Sequence, residues 1–223
     1  MSAGGNLDGP SAAPAEEPPN SLVMLLHGWG ADGGNLMVLG EAWAGALPHT
    51  AFVSPHGPEP HPSSPLGRQW FHLGPELDLG GSAFIAGAVG AAERVNAFAD
   101  AELARRGVSG NAVAFVGFSQ GATVALEAGM TRAAGTAAIA GYSGALAGGR
   151  VAARLGGSRP PVLLVHGTLD DVVPPELSSN AAEALTSAGS FVELHLIPGI
   201  GHEIDTEGVA LGAAFLRQHL GLL

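Results

Sequence analysis

One serine stands between two glycines in Gly117-Phe118-Ser119-Gln120-Gly121, where an apolar run over residues 112–116 meets a helix-forming stretch. Such a strand-to-helix turn, a nucleophile elbow, holds its serine in strained backbone and pushes Oγ toward substrate, and the glycines leave room for strand and helix to approach. A serine hydroxyl is a poor nucleophile until an imidazole takes its proton, and that imidazole needs a carboxylate to fix its tautomer. Both groups follow in the order Ser, Asp, His. The apolar run 162–165 leads into His166-Gly167-Thr168-Leu169-Asp170-Asp171-Val172-Val173-Pro174, and the run 192–197 leads into Pro198-Gly199-Ile200-Gly201-His202-Glu203. A glycine-bracketed turn, His27-Gly28-Trp29-Gly30, follows the first apolar run. Its Trp29 N–H and the N–H of Gln120 after the elbow serine are the candidate donors to a developing oxyanion.

The elements that must position these groups are legible as an alternation. Short apolar runs at 22–26, 51–53, 112–116, 137–140, 162–165 and 192–197 suit strands buried on both faces. Between them, residues 35–47, 82–106, 120–130, 176–188 and 206–219 carry helical spacing. The pattern predicts an α/β fold, a mostly parallel central sheet with helices on both faces, in which the serine, acid and histidine loops share the carboxyl edge of the sheet. Residues 1–20, rich in Pro, Gly, Ala and Ser without periodicity, read as a disordered N-terminal tail ahead of one domain over 21–223. Residues 55–81 are proline-rich and aperiodic, a long loop of a length that is usually functional or disordered.

Composition removes several chemistries. The chain of 223 residues has no cysteine, so a thiolate nucleophile and sulfur-ligated zinc are excluded, and all nine basic residues are arginine, so no lysine serves a Schiff base or a phosphate loop. A formal charge of −11 without a basic cluster argues against nucleic acid or an anionic membrane as partner. The first basic residue is Arg68, which leaves the amino terminus without the charges of a secretory or mitochondrial signal and makes the cytoplasm the expected location. The uncharged stretch between Arg106 and Glu127 is interrupted by Asn111, Ser119, Gln120 and glycines, which suits a buried strand and helix and not a membrane span.

Taken together, L-H-G-x-G, G-F-S-Q-G, H-G-x-x-D-x-V-V-P and G-x-G-H, in that order from about Ser21 onward, resemble the small α/β-hydrolases of the phospholipase/carboxylesterase family, which includes acyl-protein thioesterases. Arg68-Gln69-Trp70-Phe71 also resembles a segment of bacterial members. The resemblance implies the α/β-hydrolase fold, a triad of Ser119, Asp170 and His202, oxyanion donors on Trp29 and Gln120, and no metal or organic cofactor. It implies cleavage of carboxylic esters or thioesters through an acyl-enzyme on Ser119. Leu66, Trp70, Phe71 and Leu73 on the proline-rich loop are the apolar candidates to hold an acyl chain. The expected partner is a small-molecule or acyl-chain ester, with no stable membrane insertion, and the chain is expected to be a monomer or homodimer.

Competing readings attach to several residues. Ser143 in Gly141-Tyr142-Ser143-Gly144 lacks the second elbow glycine because Ala145 stands there, and the family resemblance gives it a place in the pocket wall instead. His27 and His166 read as structural histidines bonding loop backbone, neither being last in the chain order. His56 and His61 lack a third ligand at metal-site spacing, and Glu203 has no second histidine beyond it for a zinc-protease helix. Asp171 rivals Asp170, and the family register favours Asp170. At the level of the molecule, a non-enzymatic ligand-binding protein on the same fold, a perhydrolase and a lyase are the alternatives.

Overall fold

The computed structural model describes residues 7–74, 78–148 and 159–220. In chain order these form β1 (Ser11–Ala12), β2 (Ser21–Leu26), α1 (Gly33–Trp43), β3 (Thr50–Val53), β4 (Glu59–Pro60), β5 (Arg68–Gln69) and α2 (Ser82–Arg106). Then come β6 (Val113–Phe118), α3 (Gln120–Thr131), β7 (Ala138–Tyr142), β8 (Val162–Gly167), α4 (Glu176–Ser187), β9 (Val192–Ile197) and α5 (Thr206–Leu220). Seven strands make one sheet in the order β1-β3-β2-β6-β7-β8-β9, parallel throughout except for β1. This is the mostly parallel, helix-covered sheet that the alternating pattern predicts and the α/β-hydrolase arrangement that the resemblance implies.

The two-residue period of the strands divides the core. Leu22, Met24 and Leu26 of β2 pack with Phe84 and Val95 of α2, Val124 of α3 and Leu185 of α4. Val23 and Leu25, on the other face, pack with Leu36 and Trp43 of α1 and Phe215 and Leu216 of α5. Every residue of β2 is buried, as a central parallel strand covered by helices on both sides requires. The order reversal beside β2 and β6 leaves the loops after β2, β6, β8 and β9 on one edge, the expected place for a ligand in an open parallel sheet.

Two readings are corrected. Residues 7–20 are not a disordered tail: β1 pairs antiparallel with β3 through Ser11–Val53 and Ala12–Phe52, Leu7 is buried, and Ser54 and His56 donate their N–H groups to the carbonyls of Pro10 and Asp8. This segment caps the open edge of β3 through its backbone, and backbone pairing leaves no side-chain period to read. Residues 1–6 of the same reading lie outside the described residues. The proline-rich segment, in turn, contains the antiparallel pair β4–β5, with Glu59 opposite Gln69 and Pro60 opposite Arg68. No described helix is long and apolar enough to cross a membrane.

Candidate active site

Ser119 occupies the turn between β6 and α3 with φ 55° and ψ −119°, backbone that L-residues adopt at a cost of about 1–3 kcal/mol. The flanking glycines are sterically required there. A Cβ on Gly117 would lie 2.1 Å from the Gly121 carbonyl oxygen, and one on Gly121 would lie 2.0 Å from that of Leu26. The N–H of Gln120, first residue of α3, lacks an intrahelical acceptor and is free to meet an anion at the positive end of the helix.

The loop after β2 lies against the elbow: a Cβ on Gly28 would come 3.0 Å from the Phe118 ring and 3.3 Å from Ser119 Cβ. Segment 68–71 clamps that loop to the elbow. Gly30 N–H donates to Arg68 O and Arg68 N–H to Ala31 O, while Trp29 Nε1–H donates to Gln69 Oε1 at 2.9 Å. Trp70 Nε1–H reaches His27 O at 2.8 Å. On the other side the Gln120 carboxamide accepts the Trp70 N–H at 3.0 Å and donates to Phe71 O at 2.8 Å. The backbones that carry the two expected oxyanion donors are therefore fixed through one shared segment. Beneath it, buried His27 donates Nδ1–H to Gly28 O and accepts the Gly57 N–H at Nε2, and burial holds its pKa below the usual histidine range.

The acid and the histidine meet across the loops after β8 and β9. Asp170 Oδ2 accepts His202 Nδ1–H at 2.7 Å, and Oδ1 accepts the N–H groups of Val172 at 3.0 Å and Val173 at 2.8 Å. Burial alone would raise the Asp170 pKa, but the Val173 N–H, His202 and the Val172 N–H outweigh it and hold the carboxyl below its ordinary value. Asp171 is exposed. The His202 ring packs 4.7 Å from that of Phe118, and His202 and Ser119 line one cavity, though no hydrogen bond between Ser119 Oγ and His202 is closed in this conformation. Catalytic hydrogen bonds are often long without substrate and tighten when it binds.

That cavity has a volume of about 710 Å³. Trp29, Gln120 and Thr123 meet it from the oxyanion side, Leu73, Leu79 and Phe84 from the proline-rich segment and α2, and Ala145, Val172 and Val173 from the loops after β7 and β8. Of the four residues expected to hold an acyl chain, only Leu73 lines it. Leu66 is 85% exposed, Trp70 is buried on His27, and Phe71 is buried with its ring 5.2 Å from Phe84. An aromatic on a loop buries either against a ligand or against the core, and here the clamp takes both rings into the core. Ser143 is buried with its hydroxyl unpartnered, and Gly144 and Ala145 take the wall position expected of it. Phe84, Val172 and Val173 were not singled out by sequence, although the valines follow directly on the acid. Among the described residues no group of three or more His, Asp or Glu side chains is placed to hold a metal ion.

Comparison with known proteins gives the family. A family model described as Phospholipase/Carboxylesterase matches residues 7–220. The esterase YpfH of Escherichia coli is 28% identical over 209 residues, 91% of this chain and 84% of that protein. Acyl-protein thioesterase 1 of Gibberella zeae is 28% identical over 225 residues, 95% of each chain. The crystal structure of esterase PE8 superposes with a TM-score of 0.91 at 39% identity, covering 96% of this chain and all of that one.

Proposed function

The chain belongs to the phospholipase/carboxylesterase family and is a hydrolase of carboxylic esters or thioesters, and from that premise we propose that Ser119, His202 and Asp170 carry its reaction. Ser119 Oγ attacks the acyl carbon while His202 Nε2 takes the hydroxyl proton, and the oxyanion that forms accepts hydrogen bonds from Trp29 N–H and Gln120 N–H. As the tetrahedral intermediate collapses, the bond to the alcohol or thiol breaks and that group leaves with the proton from His202. Water then repeats the sequence on the acyl-enzyme, with its proton passing through His202 to Ser119 and the acid released. Asp170 stays ionised, keeps Nδ1 protonated and steadies the imidazolium.

The observation that best supports this reading is the 2.7 Å bond between His202 Nδ1 and a buried carboxylate, set beside a strained serine on one apolar cavity. The cavity favours acyl groups of medium length. A cytoplasmic enzyme, monomeric or homodimeric, completes the proposal, to be checked by fractionation and sedimentation.

A fluorophosphonate tests the nucleophile. One label per chain on the peptide containing Ser119, lost together with esterase activity in Ser119→Ala, is the expected result. Labelling and hydrolysis that survive Ser119→Ala would remove Ser119 from the mechanism. Unlabelled, inactive wild-type protein would return the chain to the ligand-binding alternative.

A further inference from the structure

The Asp170 carboxylate touches a second imidazole. His166, at the end of β8, has its side chain fully buried, as does Asp170, and its Nε2 lies 3.1 Å from Asp170 Oδ2. The same Nε2 is 2.8 Å from the Val173 carbonyl oxygen. A carboxylate and a carbonyl offer only lone pairs, so Nε2 must carry the proton, which it donates to the Val173 carbonyl while lying beside the carboxylate. On the far side of the ring Nδ1 lies 2.7 Å from Ser178 Oγ on α4, whose other neighbour is the Gly144 carbonyl oxygen at 3.4 Å. The serine has one proton to give. The shorter contact assigns it to Nδ1, which leaves His166 as the Nε2–H tautomer.

Asp170 is then enclosed by N–H groups. Its Oδ1 accepts two backbone N–H groups, and its Oδ2 accepts the ring N–H of His202 and lies 3.1 Å from the protonated Nε2 of His166. A carboxylate has about four acceptor positions, and no solvent reaches this one to fill a gap. We propose that His166 is a positioning residue for the hydrolysis, holding Asp170 Oδ2 in line with His202 and sharing its negative charge. The proposal rests on the assignment of Asp170 and His202 to the reaction. Without the neighbouring His166 ring the carboxylate gains rotational freedom, and its charge concentrates on the bond to His202. Imidazolium is thereby favoured, and a higher pH is needed to free the base. The charged groups nearest in the chain are Asp205, whose Oδ1 accepts the Gly208 N–H, and exposed Glu203, both beside His202, and exposed Asp171 beside Asp170, while the elbow packs the Phe118 ring on His202.

A histidine that only filled core volume would affect stability and leave the pH profile in place. Steady-state hydrolysis of p-nitrophenyl butyrate from pH 5 to 9 is to be compared for wild type, His166→Leu and His166→Gln, at a temperature where each is folded. Expected for His166→Leu are a kcat at least tenfold lower, a KM within about threefold, and an acid limb displaced to higher pH by half a unit or more. His166→Gln, which can restore an N–H donor, should recover part of both. Lowered melting temperatures with kcat and the acid limb unchanged would overturn the proposal. Should neither variant fold, ¹⁵N-histidine NMR of unreacted wild type decides. The expected spectrum has the His166 Nε2–H tautomer at pH 8, with its proton shifting as His202 titrates, and an Nδ1–H tautomer would overturn the inference. The spectrum does not depend on Ser119, so its failure is distinct from failure of the nucleophile in labelling.

Discussion

At the scale of single residues the least secure choice in the sequence lies between two adjacent acids, and geometry separates them. Asp170 reaches His202 at 2.7 Å while Asp171 faces solvent. In Asp170→Asn the amide oxygen can keep the Val172 and Val173 N–H groups, which turns the Nδ2 donor toward His202 Nδ1 and His166 Nε2–H. Two donors facing each other force Nδ1 of His202 to become the acceptor, moving its proton to the nitrogen that must take one from Ser119. In the serine-protease case the equivalent change costs on the order of ten-thousand-fold in kcat. Asp170→Asn is therefore expected to be folded and almost inactive, and Asp171→Asn to keep most of the wild-type rate. Initial rates on p-nitrophenyl butyrate for proteins of matched melting temperature check this, and the reverse order would make Asp171 the acid. The residues proposed to react were legible as candidates because each carries a local backbone signature: Gly117 and Gly121 around the serine, and an acid and a histidine just past apolar runs. The contact of His166 with Asp170 was not legible, since two side chains of one motif meeting around a third leave no mark in spacing.

Elements were legible to different degrees for a physical reason. Helix α2 spans the predicted residues 82–106, because its apolar positions recur every three or four residues and Gly107, at φ 67°, stops it. The clamp of residues 68–71 has no such period. Its function lies in backbone groups and in the Gln120 carboxamide, so Trp70 and Phe71 looked like loop aromatics free to line a pocket. His27 under the clamp gives a pH test. Burial lowers its pKa when folded, with Gly28 O opposing and with His56 and Arg68 adding to the shift, so the unfolded chain takes up a proton at higher pH than the folded one. Above about 6.5, the free-histidine value, both states are neutral and the contribution to stability is constant. As pH falls below that value the unfolded state is favoured, and stability declines at up to about 1.4 kcal/mol per pH unit until the folded pKa is passed. His27→Gln, which can still accept the Gly57 N–H, is expected to be less stable than wild type at pH 7.5, with the gap narrowing by pH 5. Urea midpoints at both pH values measure it. A gap that stays constant would mean that the folded and unfolded chains protonate His27 alike, so that burial does not lower its pKa.

For the molecule as a whole, the sheet order decides what the site accepts. The elbow on β6 lies between the loops of β2 on one side and those of β7 and β8 on the other, so the cavity is walled by segments distant in sequence. Its described wall carries no Arg, Asp or Glu, and Leu73, Leu79, Phe84, Val172 and Val173 make it an apolar slot suited to an uncharged chain. Ala145, buried after β7, also lines an adjoining cavity of about 280 Å³ that shares Leu79 with the first, so a chain running from Ser119 past Ala145 has room to continue. A larger side chain at that passage would leave short acyl groups untouched and expel the distal methylenes of longer ones. Each methylene kept from burial costs up to about 0.8 kcal/mol, or roughly fourfold in kcat/KM, so two lost contacts amount to about fifteenfold. Ala145→Leu is therefore expected to lower kcat/KM for p-nitrophenyl octanoate by tenfold or more while that for the acetate stays within about threefold. An equal loss across chain lengths would show that the substitution disturbs the elbow through Gly144, and unchanged selectivity would place the acyl chain along the Leu73 and Phe84 side of the cavity instead.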